Sequence, residues 1–143
     1  MTAAAEARWL AASAHASSVV VAVGAVLAVR APVLLAVVAA PLGPLVVAAL
    51  SRSGGAFARG HVREAVRFSA RIAFISAGVV LGLLLSTRVD AFAWLFWPLL
   101  FCDLLLVFLW LSFVVVACAA ALRGREWRDP FASRRRRSPG DAQ

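Results

Sequence analysis

Four long apolar stretches, separated by polar breaks of which only 51–67 is substantial, constrain this chain more than any other feature of it. Leu10 to Val29 runs 20 residues without a charge, and Val33 to Leu50, Phe68 to Ser86 and Phe92 to Leu122 follow. A helix of about 20 apolar residues crosses a hydrocarbon core of about 30 Å. Hydrophobic residues make up 63% of the 143, against about 45–50% in soluble domains, and a soluble chain this small could not hide them. The reading is all-α: a polytopic helical membrane protein with four transmembrane helices, over 10–29, 33–50, 68–86 and 92–122. A lead of residues 1–9 precedes the helical domain of 10–122. A basic tail, 123–143, follows it and is expected to be disordered at its end. Arg8, the first apolar run and the small residues near Ala31 imitate a secretory signal. The further spans that follow at once argue for a retained helix.

The second stretch carries its own interruption. Pro41-Leu42-Gly43-Pro44 places two prolines three apart, which removes two backbone donors and predicts a kink or an unwound turn. Inside a membrane the freed carbonyls need neighbouring helices or water. A three-span alternative therefore remains, in which residues 10–50 form one bent or partly re-entrant segment. A break of this kind serves packing or, alternatively, a binding site.

All fifteen basic residues are Arg, and seven acids leave a net charge of +8. Most of the Arg residues flank apolar stretches, where anionic headgroups lie, so membrane lipid rather than nucleic acid is the expected partner. Arg59, Arg63, Arg67 and Arg71 recur every four residues and form one stripe on a helix. The expected element is an interfacial amphipathic helix over 57–67, ahead of the third span. Its Arg59, Arg63 and Arg67 would reach lipid phosphates, and Phe57 and Phe68 would point to the acyl boundary. Arg134, Arg135, Arg136 and Arg137 form a second lipid-contacting group in the tail. By the excess of Arg in the 51–67 loop and after the fourth span, both termini are cytoplasmic and residues 87–91 face the other side. The expected location is the bacterial cytoplasmic (inner) membrane.

Few residues could carry chemistry. His61 and Glu64 stand three apart on one helical face, but two groups are too few for a metal site, and Glu64 can pair with Arg67. Asp103 falls near mid-depth of the fourth span, where a carboxylate is a functional candidate by default. His15, on the first span, is its best available partner; helix–helix hydrogen bonding is the structural reading. Cys102 and Cys118 sit in one apolar segment and read as packing residues. No phosphate loop, nucleophile elbow or HExxH pattern is present, so no catalytic residue, metal, cofactor or small-molecule substrate is named.

The stretch Phe57-Ala58-Arg59-Gly60-His61-Val62-Arg63-Glu64-Ala65-Val66-Arg67-Phe68 resembles the F-V-R-E-H-A-K-E-A-L-N-F-Q signature of a bacterial Tic-twenty-like family of small membrane proteins. Phe57, Arg59, His61, Glu64, Ala65 and Phe68 match, with Arg63 for Lys. Gly43-Pro44-Leu45-Val46-Val47, His15 and the segment Gly124-Arg125-Glu126-Trp127-Arg128-Asp129-Pro130 are similar to further family features, so the resemblance covers about residues 8–131. Gly60 replaces an acidic residue, Arg67-Phe68-Ser69 replaces Asn-Phe-Gln, and Asp103 matches no family position. The resemblance implies a four-helix membrane fold more than it implies protein translocation. The function expected is that of a small non-enzymatic accessory or assembly subunit among other membrane proteins. A transporter, channel or translocation component is the alternative.

Overall fold

Lipid offers backbone groups no hydrogen-bond partners, so a chain this apolar satisfies its N–H and C=O groups within helices. The structure, a computed structural model, describes residues 2–29, 33–50 and 55–125. Among these there is no strand. Helix α1 spans Ala3–Val29, α2 Val33–Val38, α3 Leu42–Leu50 and α4 Ala56–Arg88. A 3-10 turn at Asp90–Leu95 then leads into α5, Phe96–Leu122.

Three of these segments are long and apolar enough to cross a membrane: Ala4–Ala28, Ala56–Arg88 and Asp90–Leu122. The second apolar stretch, 33–50, is not one continuous span. It is divided into α2, of 6 residues, and α3, of 9, or about 9 and 14 Å of helix at about 1.5 Å per residue. Neither spans a bilayer alone. The break is built from tight turns, with Ala39 N–H donating to Ala36 C=O and Leu42 N–H to Ala39 C=O. The first helical bond of α3 runs from Leu45 N–H to Pro41 C=O at 3.2 Å. Pro44 therefore falls among the first-turn positions whose N–H groups have no partner within the helix.

The α2–α3 pair runs back along α1. Ala36, Val37 and Ala40 share a core with Ala22, while Val47 and Ala48 pack with Ala14. Between them Gly43 presses on the α1 backbone, where a Cβ would overlap the Ser17 carbonyl. The pair thus returns the chain to the end at which α1 began. Phe57 packs there with Ala11, Ala12 and Ala121, so the starts of α1 and α4 and the finish of α5 share one end of the bundle. The turn after Arg88 lies at the other, where Gly82 is close to Leu99.

Helices α1 and α4 pack against each other and against every other helix, and α5 and the α2–α3 pair flank them. On α1 the inward residues are Ala11, Ala14, His15, Ser18 and Ala22, a small-residue stripe that lets neighbouring backbones come close. On α4 a wider inward face includes Ala58, His61, Ala65, Phe68, Ile72 and Ser76. The largest core cluster sets Phe68 and Ile72 against Val37, Trp110 and Val114.

The expected interfacial helix is not a separate element. Residues 57–67 are helical, but they are the opening turns of the unbroken 33-residue α4. They run without a break into the apolar part of α4, with Val62 and Ala65 packed against Ala14 of α1. The two phenylalanines also differ from expectation and point inward. Phe68 is 1% exposed and meets Phe113 edge-on at 5.8 Å, and Phe57 lies against His61 at 4.7 Å.

Candidate functional site

The Gly-Arg pair that closes α5 sets up the most elaborate polar contact in the bundle. Gly124 has φ 69°, a left-handed turn that glycine adopts without a Cβ penalty. Its N–H donates to Ala121 C=O and that of Arg125 to Ala120 C=O, both at 2.9 Å, the paired bonds of a Schellman cap. This turn aims the Arg125 carbonyl back into the bundle, where His61 Nε2 approaches it at 3.1 Å. His61 Nδ1 is 3.3 Å from His15 Nε2, and the two rings meet edge-on. Both imidazoles are buried, 2% and 3% exposed.

Hydrogen-bond roles follow from the carbonyl, which can only accept. His61 Nε2 must carry a hydrogen, so in the neutral ring Nδ1 accepts, and His15 Nε2–H donates to it. One directed chain, His15 to His61 to Arg125 C=O, joins α1, the start of α4 and the end of α5. Placing two polar rings in a buried site is tolerable only with such partners. Arg8 lies over Gly124 at the same end, its Nε 3.0 Å from where a Cβ would stand.

The expected pairing of Asp103 with His15 is corrected. Asp103 is fully buried, but its partner is Ser76 of α4, whose Oγ donates to Oδ1 at 3.0 Å. His15 sits instead at the bundle end, held by His61. Asp103 Oδ2 and, one heptad on, Trp110 Nε1 are buried without hydrogen-bond partners among the described residues. Sequence reasoning missed Ser76. Its signal was a hydroxyl in the middle of an apolar span, where an interhelical hydrogen bond is the ordinary use.

Glu64 does not join His61 in a site. It reaches Arg67 Nη1 at 3.4 Å, while His61 turns inward. Arg59, Arg63 and Arg67 are exposed along α4. Pro41, Gly43 and Pro44 form the α2–α3 break, with Gly43 and Pro44 buried. Arg134, Arg135, Arg136 and Arg137 lie outside the described residues. Among the described residues no group of three or more His, Cys, Asp and Glu is placed to hold a metal ion. A cleft of about 270 Å³ between α1, α2 and α5 is lined by aliphatic residues and Trp110, with no charged group. The polar side chains at the bundle end and at mid-depth are thus tied to one another across helices, which suits them to hold helices together.

The sequence profile of the magnetosome magnetite crystal formation protein family, MamF and MmsF, matches residues 6–135. No curated protein and no solved structure matches the chain. The match overturns the Tic-twenty-like resemblance. Four of the positions that carried it, Phe57, His61, Ala65 and Phe68, lie on the inward face of α4. A pattern of that kind reports a helix-packing face, which other small helical membrane proteins can present equally well.

Proposed function

The chain belongs to the magnetosome magnetite crystal formation protein family, and from that premise we propose that it is a non-enzymatic accessory protein of the crystal-forming membrane. It acts from within the bilayer by assembling with other membrane proteins, with both termini on the cytoplasmic side. The observation that carries this reading is the family match over residues 6–135, on a chain with three helices able to cross a membrane. The way its polar groups are used supports the same reading. His15 and His61 bond to each other and to a helix end, and Asp103 bonds to Ser76.

The test is deletion of the gene in its native host with electron microscopy of the crystals. The expected result is crystals altered in size, shape or number and restored by a plasmid copy. Unchanged crystals would count against a role in their formation. Purification in mild detergent, followed by mass determination, addresses the accessory role. A co-purifying membrane protein is expected, and a lone monomer would overturn this part of the reading.

A further inference from the structure

Helix α4 is too long for the bilayer it crosses. Its 33 residues make about 50 Å of helix against a hydrocarbon core of about 30 Å. The part from Phe68 to Arg88 alone covers that thickness. The turns before Phe68 then run from the hydrocarbon edge, near Val66, out into the headgroup layer, and they carry Arg59, Arg63 and Arg67 on the side that borders α3. Between α3 and α4 lies an open cleft of about 500 Å³, lined by those three Arg residues and by aliphatic side chains that include Leu45, Val62 and Val66. Glu64, the single acid of α4, pairs with Arg67, and the cleft keeps a positive balance.

We propose that this cleft is a binding site for one anionic phospholipid. Its phosphate is held by Arg59 and Arg63, with Arg67 beside them, and one acyl chain lies against Leu45, Val62 and Val66. Guanidinium groups suit this task because their planar forks donate two hydrogen bonds to phosphate oxygens and stay charged at any cellular pH. The aliphatic wall is what selects a lipid over free phosphate. The surplus of cations is what selects an anionic headgroup over a zwitterionic one. The reading is independent of any role in crystal formation.

Native mass spectrometry of the full-length chain, delipidated in mild detergent, tests it. The probes are phosphatidylglycerol, phosphatidylcholine with the same acyl chains, and inorganic phosphate. Phosphatidylglycerol should bind one per chain, at least about tenfold more tightly than phosphatidylcholine, and excess phosphate should not displace it. Each Arg near an anionic lipid contributes roughly fivefold, so Arg59→Gln with Arg63→Gln should weaken binding by about tenfold or more. Val66→Trp should weaken it by filling the apolar wall. Changing Arg134, Arg135, Arg136 and Arg137 to Gln should leave it intact, which separates this site from general attraction to the tail. A phosphatidylglycerol with a photoreactive acyl chain should label wild-type peptides containing Leu45, Val62 or Val66, a readout that needs no variant to fold. Equal binding of phosphatidylcholine, displacement by phosphate, undiminished binding to the double Arg variant, or labelling confined to α5 would each overturn the proposal.

Discussion

Two single residues hold much of the architecture, for different reasons. Gly43 is needed for what it lacks. A Cβ there would overlap the Ser17 carbonyl of α1, and a backbone carbonyl cannot swing aside as a side-chain end can. Gly43→Ala should therefore lower stability by about 1–3 kcal/mol, read as a lower thermal unfolding midpoint in detergent; an unchanged midpoint would show that the approach is less close. His61 is needed for what it joins. His61→Leu removes the bond to Arg125 C=O and that to His15 and leaves polar groups buried, at a cost of about 1–3 kcal/mol. Faster amide exchange in the last turn of α5 should accompany it. The sequence pointed to both residues but not to these roles. Gly43 was visible as part of a proline-flanked break, and nothing in the sequence showed which backbone would lie across it. His15 and His61 stand 46 positions apart, and a pairing at that separation depends on how three helices meet.

At the scale of elements, Ser76 and Asp103 add a polar link at mid-depth to the apolar packing of α4 on α5. A carboxyl in this setting is tolerated for the bond it accepts, and its second oxygen has no partner among the described residues. Ser76→Ala should then be costly, by about 1–3 kcal/mol, because it strands a buried polar group. Ser76→Ala combined with Asp103→Leu should recover most of that loss, since replacing both partners of a buried polar pair by apolar groups can be nearly neutral. Equilibrium unfolding of the two variants would decide; a double variant less stable than Ser76→Ala alone would refute the assignment. Helices α1, α4 and α5 were legible in the sequence because their apolar runs are long. The end of the interfacial segment was not. An Arg at every fourth position describes the outer face of an upright helix as well as the upper face of a flat one. What separates them is the bundle-facing side, where Ala58, His61 and Ala65 are buried.

For the whole molecule, the chain's two described ends and the start of α4 gather at one end of the bundle, and the Arg88 turn lies at the other. With the Arg-rich end cytoplasmic, Thr87→Cys should react with an impermeant thiol reagent added to intact cells, and Thr2→Cys and Arg123→Cys should not. The background for this labelling is Cys102→Ala with Cys118→Ala, and reaction at Arg123→Cys in intact cells would reverse the orientation. The broken α2–α3 pair also bears on how the chain enters the membrane during synthesis. A pair this short, with a turn in the middle, has little to keep it in lipid when it first leaves the ribosome. Its apolar contacts on one side come from α1, already made, but those on the other come from Val62, Ala65, Phe68 and Ile72. Those residues are translated later, so the pair should gain its full packing only once α4 has followed it. A chain truncated after Leu50 should therefore insert less stably and be degraded faster than one that runs on through α4, which pulse-chase measurement of the two lengths would check.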